Sequence, residues 1–333
     1  MQNISVAIVG ATGAVGGVLL DLLASRKFPL DNLYLVASER SKGKFLSYGK
    51  KSYEVIDIAD FDFTQVSLCF FSAGSAVSKE YVPKAIVAGC CVIDNTSCFR
   101  YDDEVLLIVP EVNGHLLPDK LTPIVIANPN CSTIQMLVVL KPLYDAVGIK
   151  RIDVATYQAV SGAGNQAILA LREETESFLH RGEITAKAFD RPIAFNVLPG
   201  IDTFQENGYT REEMKMVWET QKIFSDKALV VNPTCVRVPV MHGHSEAVHI
   251  QTREPLSADD ARRLLSASAG VFVSDATTYP TPLEQGEGDD RVFVGRIRES
   301  LGDSCGVNCW VVSDNLRKGA ALNAIQIAEN MLK

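Results

Sequence analysis

The chain has 333 residues, 47% of them hydrophobic and 22% charged, a balance that excludes intrinsic disorder and supplies apolar material for two domain cores. Its formal charge of −8 excludes a general nucleic-acid or anionic-membrane surface, so any anionic ligand must be held by a few placed Arg or Lys side chains. No apolar run reaches the roughly 18 residues a bilayer crossing needs, and the first strand pattern begins where a signal peptide would lie, so a cytosolic protein is expected.

In chain order, ISVAIVG reads as a buried strand and GAVGGVLLDLLASR as the helix after it, with apolar residues at helical spacing. LYLVASE, SYEVIDI, SLCFFSAG, CCVIDNT and PIVIANPN repeat the strand signal up to residue 130, with a helical pattern at Val77–Ala88 between two of them. Strands alternating with helices predict an α/β fold, a Rossmann-type doubly wound parallel sheet. Beyond Asn130 the pattern changes to a helix (Ser132–Ala146), a strand (Arg151–Ala159), a long helix (Gln166–Arg181), a Pro- and Gly-bearing stretch through Gly208, and a helix at Arg211–Phe224. Strands at Ala228–Val240, Glu246–Gln251, Val292–Arg298 and Val307–Val312, with a helix at Ala258–Ser268, predict an α+β domain built on a mixed sheet. The last helix, Lys318–Leu332, is expected to pack back on the first domain. The division is therefore residues 1–130, completed by 314–333, as a dinucleotide-binding domain, and 131–313 as a second domain for catalysis and dimerisation.

Eight cysteines include no C-x-x-C pair and no tight His/Cys cluster, so neither a disulfide framework nor a zinc site is expected, and most sit in strand-like stretches as small buried hydrophobes. Gly10-Ala11-Thr12-Gly13-Ala14-Val15-Gly16 joins the first strand to the first helix. Glycines there let the backbone approach a pyrophosphate, whose charge meets the helix N-terminus; the alternative is a merely tight turn. After the second strand come Ser38, Glu39, Arg40, Ser41 and Lys42 in place of a lone ribose-binding acid, which favours the 2′-phosphate of NADP, with Lys42 able to add charge and Glu39 the complication.

Cys131 stands at a strand-to-helix junction, where first-turn N–H groups favour the thiolate; simple packing is the alternative. His244 lies in a short polar stretch between strands and supplies the proton exchange a thiol nucleophile requires. His242 would share its face on a strand, so an H-x-H metal site is the alternative there. Arg237 interrupts an apolar run, which suits either a carboxylate ligand or an internal salt bridge. Arg100, Gln158 and Lys222 are also polar where bland structure does not ask for them, while Glu219 and Lys222 have the spacing of an ordinary helical surface pair.

From GATGAVG to DNLRKGAALNAIQIAE, the whole chain resembles the bacterial aspartate-semialdehyde dehydrogenases. The most specific segments are NPNCSTIQ, TYQAVSGAG, IAFNVLPGID, YTREEMKMVWETQKI, RVPV followed by HGHS, and DNLRKGAA. The resemblance implies Cys131 as the acyl-accepting nucleophile, His244 as acid/base, and Gln158 as the residue orienting substrate and thioester. Arg237 would hold the substrate α-carboxylate and Glu219 its ammonium, with Asn130 also on the substrate; Arg100 and Lys222 would bind phosphate. NADP(H) would be contacted by Gly10, Thr12, Gly13, Ala14, Val15, Ser38, Arg40, Ser41, Ser72, Gly74, Ser161, Gly162 and Asn315. SERSKG stands where the family often has SARSAG, and Cys98 lies two residues from Arg100 where the family often has a small apolar residue.

The implied reaction is NADPH-dependent reductive dephosphorylation of L-4-aspartyl phosphate to L-aspartate 4-semialdehyde through a Cys131 thioester, in biosynthesis of lysine/diaminopimelate, threonine and methionine. The implied assembly is a homodimer without a metal. Two rivals stand beside it: another acyl-phosphate reductase, such as an N-acetyl-glutamyl-phosphate reductase or a glyceraldehyde-3-phosphate dehydrogenase relative, and a non-enzymatic NADP-binding sensor, against which the presence of both Cys131 and His244 argues.

Overall fold

The computed structural model describes residues 3–333, which form two compact units: 3–130 with Ala320–Lys333, and Cys131–Gly319. No helix among the described residues is long and apolar enough to cross a membrane.

Unit 1 opens with β1 (Ile4–Val9), α1 (Ala14–Ser25), β2 (Leu30–Ala37), β3 (Phe45–Tyr48), β4 (Lys51–Asp57), β5 (Leu68–Phe71) and α2 (Ser75–Val87). It continues through β6 (Cys91–Asp94), β7 (Leu106–Leu107), α3 (Pro110–Asn113) and β8 (Val125–Ala127). These strands form one sheet in the order β3-β4-β2-β1-β5-β6-β8-β7, parallel throughout except for the β3–β4 hairpin. The central strands are apolar on both faces because both faces are covered, and Val6 to Val9, Leu68 to Phe71 and Cys91 to Ile93 are all buried.

Unit 2 contains α4 (Cys131–Val147), β9 (Ile149–Gln158), α5 (Asn165–Arg181), α6 (Arg211–Ile223), β10 (Val230–Arg237) and β11 (His244–Thr252). It ends with α7 (Ala258–Ser266), β12 (Val271–Val273), β13 (Val292–Ser300) and β14 (Asp303–Ser313). Its mixed sheet runs β10-β9-β11-β14-β13-β12. Pro233 sits in β10, an edge strand, where its missing N–H costs no ladder bond. Thr210 and Glu213 close a reciprocal capping box at the start of α6. The irregular stretch before it is latched by Glu174 of α5, whose buried carboxylate accepts the N–H groups of Lys187, Ile193 and Ala194.

The last helix, α8 (Leu322–Met331), packs in unit 1, where Ala321, Leu322, Ala324, Ile325, Ile327, Ala328 and Met331 join one core with Val6, Leu19, Leu23 and Phe70. The helical pattern from Lys318 is only partly α: Arg317–Ala321 forms a π turn. The strand expected through Val240 stops at Arg237, just before Val238-Pro239, because Pro239 has no N–H to continue the ladder.

Candidate active site

In unit 1 the strand order reverses on either side of β1, the topological position at which doubly wound sheets bind ligands. A cavity of about 330 Å³ opens there, lined among others by Gly10, Thr12, Gly13, Ser38, Arg40 and Ser72. Gly10 has φ +94°, and a Cβ on it would lie 2.8 Å from the backbone of Ser72, so a side chain would both strain the turn and fill the floor of the cavity. Gly13 precedes α1 without a side-chain cap, leaving the N–H groups around Ala14 and Val15 for an anion. Thr12 and Ser41 hydroxyls meet at 3.2 Å, and Gly74, with φ +93°, opens α2 beside Ser72.

The charged loop resolves into two fates. Lys42 is held by Asp60 at 2.6 Å and does not add its charge to the cavity rim as the sequence allowed, whereas Arg40 makes no ion pair among the described residues. An uncommitted guanidinium on the rim, over a floor a Cβ would fill, fits a nicotinamide dinucleotide with its anionic phosphates. Elsewhere in the unit, Arg100 is buried and its Nη2 donates to Asn95 O at 2.8 Å. Cys98 is half-buried, and burial followed by the Asp94 carboxylate pushes its thiol up, away from reactivity.

Unit 2 gathers residues about 80 positions apart at the ends of three neighbouring strands. Arg237 ends β10 in register with Gln158, which ends β9; on the other side Tyr157 pairs with Ser245, placing His244 at the start of β11 next to them. The peptide of Ala159 then ties two side chains together. Its N–H donates to His244 Nδ1 at 3.0 Å, and its carbonyl accepts from Arg237 Nη1 at 2.7 Å. Since Nδ1 is an acceptor, the neutral imidazole carries its proton on Nε2, and Nε2 has no partner among the described residues. Burial first, then the Arg237 charge, pushes the His244 pKa down to about 3, so the ring is neutral at ordinary pH.

Arg237 is buried at 6% exposure, yet among the described residues no carboxylate forms a salt bridge with it and its Nε is unpartnered. The internal salt bridge that the sequence left open is therefore not made. Cys131 is the first residue of α4 and lies within electrostatic reach of Arg237. The π turn passes so close that a Cβ on Gly319 would lie 2.9 Å from Cys131 Cβ, so a side chain at 319 would force the turn or Cys131 to shift. Gly162 packs over the other two groups: its Cβ would stand 3.1 Å from Arg237 Nη1 and 3.3 Å from His244 Nε2. Ser161 and Asn315 bond each other, and Asn315 Oδ1 also accepts Gly243 N–H at 3.0 Å. Glu219 and Lys222 share α6, with Glu219 fully buried rather than on the surface. Asn130 is buried at the end of unit 1.

The H-x-H alternative fails on geometry. Gly243, with φ +84°, breaks the strand alternation before β11 begins at His244, and His242 lies 3.8 Å from Glu287.

Of the buried carboxylates that escaped the sequence reading, two stand next to named site residues. Glu212 accepts from Gln158 Nε2 at 3.1 Å, and Glu246, two residues after His244, is buried, with the Gln135 amide the polar side chain that faces it. The only sequence signal for Glu212 is its place beside Glu213: one of two adjacent acids closes the capping box, leaving the other to find a partner.

The semialdehyde dehydrogenase NAD-binding domain matches residues 5–119, and the semialdehyde dehydrogenase dimerisation domain matches residues 140–318. The chain is 55% identical to an aspartate-semialdehyde dehydrogenase of Legionella pneumophila over 98% of this chain and 95% of that one. The chain belongs to the aspartate-semialdehyde dehydrogenase family. Among solved structures, aspartate-semialdehyde dehydrogenase II of Vibrio cholerae, complexed with ASA, superposes with a TM-score of 0.96 at 50% identity, covering 100% of this chain and 99% of that one. A more distant member of the same family, from Candida albicans and solved with NADP, has a TM-score of 0.79 at 25% identity and covers 99% of each chain.

Proposed function

We propose that the chain reduces L-4-aspartyl phosphate to L-aspartate 4-semialdehyde with release of phosphate, using NADPH, in the biosynthesis of lysine/diaminopimelate, threonine and methionine. The observation that carries this reading is Arg237: a buried guanidinium without an ion pair among the described residues, sharing the Ala159 peptide with His244, calls for an anionic ligand beside the reacting groups. Glu219, a buried carboxylate, suits the substrate's free ammonium, which an N-acetylated acyl phosphate lacks.

In this reading the Cys131 thiolate, favoured by the start of α4 and by the Arg237 charge, attacks the acyl carbon. The C–S bond forms, the C–O bond to phosphate breaks, and phosphate leaves with the bonding electrons; Arg100 and Lys222 are the residues the family resemblance gives for binding it. When bound, the nicotinamide cofactor supplies a hydride to the thioester carbonyl carbon. The oxyanion so formed re-forms C=O and expels the Cys131 thiolate, releasing the aldehyde. No proton has to be abstracted along this route. That agrees with a His244 whose Nδ1 is already occupied by Ala159 N–H: it acts as an Nε2–H donor to thiolate or oxyanion, and the Cys131 backbone N–H is a second donor. Gln158 orients the acyl group.

The cofactor roles proposed are those of the unit 1 cavity, with Arg40 on the 2′-phosphate, and of Ser161, Gly162 and Asn315 in unit 2. The second sheet leaves Tyr157 and other side chains of one face exposed, which together with the matched dimerisation domain supports a homodimer. The test is NADP reduction by aspartate semialdehyde in the presence and absence of inorganic phosphate. Strict dependence on both is expected; equal rates without phosphate, or with NAD and N-acetyl-glutamate semialdehyde, would overturn the reading.

A further inference from the structure

The Gln158 side chain is held at both ends of its amide. Its Oε1 accepts from Thr156 Oγ1 at 3.0 Å and its Nε2 donates to Glu212 Oε1 at 3.1 Å. Glu212 is not an ordinary surface acid: it is 6% exposed, sits in the first turn of α6 where the helix end favours negative charge, and is gripped from behind by Lys215 at 2.9 Å. Lys215 in turn reaches Asp202 at 2.8 Å. The result is a chain of charge-assisted bonds, Asp202 to Lys215 to Glu212, ending on the amide of Gln158.

We propose that Glu212 is a positioning residue for the reaction: its carboxylate, anchored by Lys215 and Asp202, fixes the Gln158 amide so that one N–H is spent on Glu212 and the other is presented to the acyl group. The proposal rests on the reading of Gln158 as part of the acyl site. Chemically it depends on an asymmetry. An ionised carboxylate can only accept, so it forces the NH₂ end of the amide toward itself; any neutral amide or hydroxyl in its place would tolerate either end. The Thr156 hydroxyl, which can donate or accept, then follows the choice Glu212 has made.

The carboxylate also stands within electrostatic reach of Arg237 and His244, favouring the charged form of each. Removing its charge therefore leaves Arg237 more positive in net effect, not less, and anion binding should survive. A role in positioning and a role in mere packing thus separate: the first lowers kcat with KM held, the second disturbs both together with stability.

The experiment compares the full chain with Glu212→Gln, Gln158→Ala and the double variant, following NADP reduction with aspartate semialdehyde and phosphate. Glu212→Gln is expected to lower kcat about tenfold, the loss of one charge-assisted hydrogen bond, while KM for the semialdehyde does not rise. In the Gln158→Ala background the same change should cost nothing further, because the two residues act as one unit. An undiminished kcat in Glu212→Gln, or a tenfold loss in both backgrounds, overturns the proposal. Gln158→Ala with wild-type kcat would instead overturn the reading of Gln158 itself, and that failure shows in the single variant before Glu212 is touched. Lys215→Met keeps the carboxylate in place and covers the case of an unfolded Glu212→Gln. A smaller kcat loss confined to the Gln158 background supports the chain of contacts, and an equal loss without Gln158 overturns it.

Discussion

The two units solve different problems with different interiors. The core of unit 1 is aliphatic and aromatic, with Asp94 and Arg100 its only buried acidic or basic side chains among the described residues, and its cavity is shaped by backbone, glycines and one uncommitted Arg40. Unit 2 buries Glu174, Glu212, Glu213, Glu219, Glu246, Arg237 and His244 in and around a single sheet. Binding a dinucleotide needs shape and fixed dipoles, which do not titrate. Making and breaking an acyl bond needs charges of set position and protonation, and burial is what sets them.

The sharpest test of this contrast is the nucleophile. Cys131→Ala is expected to reduce turnover by on the order of a thousandfold or more, while NADPH affinity stays within about a factor of two. Mass spectrometry after incubation with acyl phosphate should find the adduct on Cys131; an adduct on another cysteine of the active protein would sink the assignment. Next comes Arg237→Lys, which keeps the charge but loses the planar fork. A raised KM and a kcat lowered on the order of a hundredfold are expected, with the melting temperature little changed. Early melting with wild-type KM in the folded fraction would show Arg237 to be structural.

On the side of unit 1 the effect should be smaller and confined to binding. Arg40→Ala is expected to weaken NADPH about tenfold or more and NADH hardly at all, read by fluorescence titration of each. Equal weakening would mean that Arg40 supports its loop.

The smallest expected effect concerns stability, and its sign follows from burial. Burial holds the Glu246 carboxyl well above the 4.5 of an exposed glutamate, with the Gln135 amide offsetting only part of this. Above that pH the unfolded chain loses a proton that the native protein keeps, so stability falls as pH rises toward the native value. Glu246→Gln removes the loss: it should melt a few degrees higher than wild type at pH 8 and no higher at pH 4, as differential scanning calorimetry can read. His244 acts on the other limb. Its value, lowered from 6.5 to about 3, means the unfolded chain gains a proton first, so stability declines as pH falls below about 6.5.

Much of this was visible in the residues themselves. Long strands and helices with strong periodicity, such as β1, α5 and α6, lie within a residue or two of their expected ends. The short strands β3, β7 and β12, of four, two and three residues, carry too little pattern to stand out, and they form at sheet margins through partners far along the chain. Cys131, His244 and Arg237 stood out as candidates because each is chemically out of place in its local context. Glu212 was not, since an acid in the first turn of a helix is what a solvated helix would also have, and only the register of β9 brings Gln158 to it.

The place of α8 has a consequence for synthesis. Its side chains belong to the same core as β1 and α1, yet the 189 residues of Cys131–Gly319 are made in between. At about 5–20 residues per second, a ribosome needs roughly 10–40 s to span that gap. During that time the nascent first unit carries an uncovered apolar face against α1 and β6, and a growing thiol-bearing unit follows it out of the exit tunnel. Here the dinucleotide-binding unit, first in the sequence, is the last to be completed, and exposure to chaperones or to wrong partners should be concentrated in that interval.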